Sequence, residues 1–321
     1  MQIADAHNDL LMTFNSSAEV SRYLNFCKHN KVVKLFTTYY FGQEQINQEK
    51  SVIFDDISHK FSLLGDSDFV VKSFENIGFI DDTKSLQKFV KFKPFCATLT
   101  WNYENKLAGG ALSKKKLSKW GRKVVTQLNK NNILVDVAHL NEQSFWDVAE
   151  LQKEMFCSHT ASREVYSIKR NLNTAQLSEI GKRNGYVGLC LYNTLLGGSF
   201  ADFELIRRHI DNFLEFAGEN SVGFGTDFNG TGEQNPNGIS MDYLGMQDLW
   251  NYLSKFYTKN VLNKIFSQNL LNFEKRIKND ISKGQEVTLK NSQNKKEQQS
   301  AVLQVPIIKK AYLAGEQRFE L

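Results

Sequence analysis

Eight short, almost continuously apolar runs alternate with stretches of helical period between residues 2 and 227, and this alternation restricts the fold more than any other feature of the chain. The runs are 2–9, 32–41, 68–76, 94–101, 132–139, 154–159, 185–193 and 221–227. A strand that is apolar along its whole length, rather than on alternate residues, must be covered on both faces, as in a parallel sheet wrapped by helices. Between the runs, Val20, Tyr23, Leu24 and Cys27 recur at helical spacing within 17–30, and Leu117, Trp120, Val124 and Leu128 do so within 113–130. Asn141 and Asn173 stand where helix N-caps are wanted. Eight strand–helix units predict an α/β fold, a closed (β/α)8 barrel. The competing arrangement is an open doubly wound sheet, but no glycine-rich phosphate loop follows the first run.

Periodicity stops near Ile277. Residues 278–300 are rich in Lys, Gln, Asn and Ser and read as a polar linker. The expected division is therefore a barrel over 1–277 and a linker and C-terminal tail of open role over 278–321. Of the net charge of +5, residues 278–321 carry eight bases and five acids, leaving +2 for the body. A near-neutral body has no nucleic-acid footprint, so no nucleic-acid partner is expected. No window approaches ~18 uninterrupted apolar residues, so no membrane span is expected either. The four cysteines, at 27, 96, 157 and 190, form no CxxC pair and no disulfide framework. With His7 too early for a signal peptide to precede it, a cytoplasmic protein is expected, and a homodimer is compatible with that.

A barrel of this kind carries its chemistry where strands end on the C-terminal face. The polar residues closing the runs are His7 and Asp9, Glu75, Trp101 and Asn102, His139, His159, Tyr192 and Asn193, and Asp227. Three of the chain's six histidines fall at such ends, beside three carboxylates. In an extended strand His7 and Asp9 share a face about 7 Å apart. Neutral imidazole and carboxylate together suit zinc, and such a convergence predicts a metal site.

The stretches holding these residues are DAHNDL at 5–10, FENIGF at 74–79, LTWNYEN at 99–105, VDVAHLNEQSFWDV at 135–148, SHTASREVYSIKRNL at 158–172 and VGFGTDFNG at 222–230. In order and spacing they resemble the membrane dipeptidase (renal dipeptidase) family of zinc peptidases, in the amidohydrolase superfamily, and LTWN resembles its bacterial members. The resemblance implies two zinc ions, one held by His7 and Asp9, the other by His139 and His159, with Glu75 bridging. It implies Asp227 as general base and proton shuttle, and Arg170 as the group that grips the substrate's free carboxylate through its planar fork. Trp101, Tyr192 and Asn193 are the candidate substrate contacts on the rim, while Arg163 and Asp136 read as structural. Two positions depart from the family: Trp101 stands where many members have histidine, and Asn229 where they have aspartate. The activity implied is hydrolysis of small dipeptides with a free C-terminal carboxylate. Alternatives are an amidohydrolase acting on N-acyl amino acids or cyclic amides, and a catalytically silent ligand-binding barrel.

Overall fold

The strands run Ile3–Asn8 (β1), Val32–Tyr40 (β2), Val70–Glu75 (β3), Cys96–Thr98 (β4), Leu134–Asp136 (β5), Phe156–Thr160 (β6), Tyr186–Leu189 (β7) and Val222–Phe224 (β8). In the computed structural model all are parallel and each pairs with the next, β8 pairing back to β1 to close the ring. The chain thus folds as a (β/α)8 barrel. Residues 1–65, 67–197, 201–230 and 242–280 are described. The barrel lies in a unit spanning Met1–Glu274; a second spans Lys275–Leu321, and the expected linker and tail beyond Asp280 lie outside the described residues.

A helix fills each interval: Ser17–His29, Lys50–Ser62, Thr83–Phe89, Lys119–Lys130, Glu142–Ala149, Thr174–Lys182 and Phe203–Ala217, with Gly245–Leu253 after β8. The predicted caps hold. The Asn141 side chain accepts from the backbone N–H of Ser144, and Asn173 forms a capping box with Gln176. The helix expected over 113–130 begins only at Lys119, behind the N-cap Ser118. Residues 113–118 form a loop instead, because the Asn141 amide donates to the carbonyls of Ser113 and Lys115 at 3.0 and 2.8 Å.

The lower half of the barrel is plugged by aromatic rings. Phe36 of β2 and Phe156 of β6 meet across the interior with centroids 6.1 Å apart, and Tyr186 of β7 stacks on Phe156 at 5.7 Å. These rings are fully buried. The upper half is polar, so apolar filling stops where the strands end.

Several strands end before the apolar runs that predict them. β5 stops at Asp136, not at 139, and β8 at Phe224, not at 227. The cause is a pair of buried aspartates that take over rungs of the ladder. Asp5 Oδ1 accepts the N–H groups of His7 and Thr226 at 3.2 and 2.8 Å, tying β1 to the end of β8. Asp136 Oδ1 accepts those of Ala138 and Ser158 at 3.0 and 2.9 Å, tying β5 to β6. Released from the ladder, His139 and Asp227 adopt left-handed backbone, each with φ of 66°. Positive φ is uncommon outside glycine, though aspartate and histidine adopt it more readily than most residues, and such conformations gather at functional sites.

Candidate metal centre and active site

Six side chains from β1, β3, β5, β6 and β8 converge above the aromatic plug. His7 Nε2 lies 3.4 Å from Asp9 Oδ2, 3.3 Å from Glu75 Oε2 and 3.7 Å from Asp227 Oδ1. Glu75 reaches the other two rings as well, with Oε1 3.3 Å from His139 Nε2 and Oε2 3.9 Å from His159 Nε2. The two Nε2 atoms of His139 and His159 stand 2.9 Å apart. Glu75 is therefore the shared neighbour of all three imidazoles.

The hydrogen bonds behind the rings decide which nitrogen faces inward. Ser73 Oγ donates to the carbonyl of Thr37 at 3.1 Å, so Thr38 Oγ1, 2.8 Å from Ser73 Oγ, is the donor of that pair and is left to accept from His7 Nδ1 at 3.3 Å. Asn102 Oδ1 accepts from His139 Nδ1 at 2.9 Å. Ser158 Oγ lies 2.8 Å from His159 Nδ1 and 3.3 Å from His7 Nδ1. With the protons on Nδ1, three bare Nε2 lone pairs point at one another and at three carboxylates.

Acceptors facing acceptors in a buried space are unfavourable without a cation. His7 Nε2 and Asp9 Oδ1 have no hydrogen-bond partner among the described residues although both are buried. The charges respond accordingly. Burial opposes protonation of His7, but Asp9, Glu75 and Asp227 outweigh it and push the ring up to about 10, so that without a metal cation a proton takes the Nε2 position of this one ring. Burial, assisted by Arg170 and His7, holds His139 and His159 well below the usual histidine range. Burial raises Glu75. It also raises Asp227, which His7 draws down and Asp9 raises again, to about 7. Among the described residues, two overlapping sets have ligand atoms close enough to share an ion: His7, His159 and Asp227, and Glu75, His139 and His159. The donor set, imidazole nitrogen and carboxylate oxygen, fits zinc.

Arg170 follows β6, nine-tenths buried, with one NH2 donating to the carbonyl of His159 at 3.0 Å. Its Nε and NH1 meet no acceptor among the described residues. Arg163 clamps its own loop instead, donating to the carbonyls of Asn171 and Lys169 and pairing with Glu142 at 3.3 Å. Trp101 lies at the mouth, 38% exposed, its ring centroid 6.3 Å from that of His139. Tyr192 packs on the apolar core at the rim above β7, and Asn193 opens the short helix Asn193–Leu196. Asn229 has φ of 69° and donates to Asn8 Oδ1 at 3.1 Å; an asparagine tolerates that backbone readily. A Cβ at Gly230 would stand 2.2 Å from Asp9 Oδ2 and 2.8 Å from Asp227 Oδ1, so only glycine lets the loop close over the two carboxylates.

Three functional neighbours carry no signal in the sequence pattern: Thr38, Ser158 and Cys190, whose thiol lies 3.6 Å from Asp227 Oδ2. Each is a small polar residue inside an apolar run, where hydrogen bonding to the strand is the ordinary use.

Known proteins resemble this chain in sequence and in fold. The model of the membrane dipeptidase family (peptidase family M19) matches residues 69–286. An uncharacterized protein encoded in the pqqA 5' region of Klebsiella pneumoniae is 29% identical over 215 residues, 62% of this chain and 78% of that protein. An uncharacterized dipeptidase of Schizosaccharomyces pombe is 26% identical over 152 residues, 44% of this chain and 36% of its own length. A metallo peptidase of Rhodobacter sphaeroides, solved with a phosphinate mimic of the dipeptide L-Ala-D-Ala, superposes with a TM-score of 0.73 at 21% identity, over 86% of this chain and 99% of that one. The probable dipeptidase PvdM of Pseudomonas aeruginosa does so with a TM-score of 0.66 at 15% identity, over 78% and 87%. These two likenesses carry the fold, and the family match, which spans well over half of the sequence, carries the kinship: the chain belongs to the membrane dipeptidase family of metallopeptidases.

Proposed function

We propose that this chain is a binuclear zinc dipeptidase that hydrolyses small dipeptides bearing a free C-terminal carboxylate. The observation that carries the reading is Arg170. A guanidinium nine-tenths buried, with two of its nitrogens lacking an acceptor among the described residues, is costly unless a ligand completes it. The backbone carbonyl of His159 accepts from the fork and holds it beside the ligand cluster. A carboxylate is the group that matches this fork with two parallel hydrogen bonds.

His7 and Asp9 would hold one zinc ion and His139 and His159 the other, with Glu75 between them. Zinc supplies Lewis acidity there, lowering the pKa of a water and polarising a carbonyl. The chain's own part is orientation and proton handling. Thr38, Ser158 and Asn102 fix the rings with Nε2 inward. Asp227, raised to about 7 and set beside His7, is suited to take a proton from the attacking water and deliver it to the leaving amine.

The test is elemental analysis of the purified full chain, together with detection of amino acids released from a panel of dipeptides and their C-terminal amides. Two zinc equivalents and cleavage confined to the free acids are expected. Equal cleavage of the amides would remove the carboxylate clamp, and zinc binding without any turnover would favour a silent barrel.

A further inference from the structure

Three aromatic rings form one surface on the β2–β4 side of the barrel mouth. Tyr40 closes β2, and Trp101 and Tyr103 lie on the loop after β4. Ring centroids are 5.7 Å apart for Tyr40 and Trp101 and 6.2 Å apart for Trp101 and Tyr103, both in edge-on contact. Tyr103 is 59% exposed, an unusual amount of open aromatic surface beside a buried polar site. At its inner end the wall reaches the ligands. Tyr40 is in register with Glu75, and burial, with the carboxylates of Glu75 and Asp9, pushes its phenol up to about 12.

The loop carrying Trp101 and Tyr103 is tightly built. Gly110 donates to the carbonyl of Tyr103 at 3.1 Å, Leu112 to that of Asn102 at 2.8 Å and Ala111 to that of His139 at 2.8 Å. A Cβ at Gly110 would fall 2.0 Å from the carbonyl oxygen of Trp101, so the two arms of the loop lie in direct contact. The backbone that carries Trp101 and Tyr103 is thus held in place before any ligand arrives, which lowers the entropy cost of binding against their rings.

We propose that Tyr40, Trp101 and Tyr103 form the subsite for the side chain of the substrate's N-terminal residue, and that they select an aromatic or large apolar group there. The inference rests on the dipeptidase reading and extends it. In a ring of eight strands β2 stands diametrically opposite β6. Arg170, after β6, takes the substrate's carboxylate end, so a substrate spanning the ligand cluster places its other residue on the β2–β4 side. A dipeptide has one side chain on each side of the scissile bond, and the one away from Arg170 belongs to the N-terminal residue. The surface that meets it presents ring faces and edges, which reward apolar contact and aromatic packing.

The experiment compares kcat and KM of the zinc-loaded full chain on L-Phe-L-Ala, L-Ala-L-Phe and L-Ala-L-Ala, for the natural sequence and for Tyr103→Ala and Trp101→Ala. The expected result is a kcat/KM for Phe-Ala about tenfold above that for Ala-Ala, carried by KM, with that ratio falling towards one in both variants. Tyr103 is on the surface, so its truncation leaves folding intact. A preference for Ala-Phe over Phe-Ala, or a ratio unchanged in both variants, overturns the inference while leaving the dipeptidase reading in place. Turnover of none of the three removes that reading and the inference with it.

Discussion

The side chain of Asn102 holds Nδ1 of His139 at 2.9 Å, and an amide oxygen can only accept, so the pair settles which nitrogen of the ring is free. Asn102→Ala frees the ring to rotate and to change tautomer. The variant should bind zinc about 10- to 100-fold more weakly, as loss of such partners does at metal-binding histidines. Competition against a chelator of known affinity measures this. Unaltered zinc affinity would show that His139 is oriented by other means.

Asp227 is expected to move protons and leave zinc retention to the other five side chains. Asp227→Asn keeps the shape and removes the base. It should retain zinc while kcat falls about 10²- to 10⁴-fold. Loss of a zinc equivalent in the variant, read by elemental analysis, would reassign Asp227 as a ligand, which its 3.7 Å approach to His7 permits geometrically.

Arg170→Ala removes the fork and should reduce kcat/KM on free dipeptides about 10²-fold, the usual loss for a charge-assisted pair of hydrogen bonds. The informative readout is discrimination: the ratio of free acid to C-terminal amide should collapse. A variant that still distinguishes the two would place the carboxylate elsewhere.

His209 gives a prediction about stability. Its ring is wholly buried, accepting from the N–H of Ser162 on Nδ1 at 3.0 Å and donating from Nε2 to the carbonyl of Leu196 at 2.8 Å. Burial, the largest influence, holds it down to about 4, against 6.5 when free. The unfolded chain therefore takes up a proton at higher pH than the folded one. The stabilisation from this residue is complete above 6.5 and is lost as pH falls from there through about 4, for about 3 kcal/mol in all. Denaturant unfolding of the natural chain and of His209→Gln across that interval should show a shallower acid slope in the variant. Identical slopes would mean that His209 does not titrate in this way.

The parts of the molecule legible in the sequence are those where one residue type has few alternatives. Strands covered on both faces must be apolar throughout, so all eight could be marked, and a histidine or carboxylate ending such a run stands out. Strand ends are less legible, because Asp5 and Asp136 replace backbone rungs with side-chain ones, and nothing in the run LVDVAH at 134–139 separates a buried structural aspartate from the next residue of a strand. Ser158 was invisible for a different reason. Its role depends on β1 and β6 facing each other across a closed ring, with the His7 and His159 rings 3.8 Å apart, and that proximity exists only after closure. The loop at 113–118 failed as a helix because its carbonyls are claimed by a side chain from beyond β5.

The aspartate stitch between β1 and β8 has a kinetic consequence. Asp5 and Thr226 are separated by 221 residues, and the N–H of Asp227 reaches the carbonyl of His7 across the same seam at 3.0 Å. Contacts so distant along the chain form late, because the whole intervening loop must be ordered first. Closing the ring and setting Asp227 beside His7 are one event. A form that lacks this seam can join His7 to Glu75 through β2 and β3 but has no Asp227 beside them and no closed ring around the ligands, so full zinc retention during refolding serves as a clock for the final step rather than for collapse.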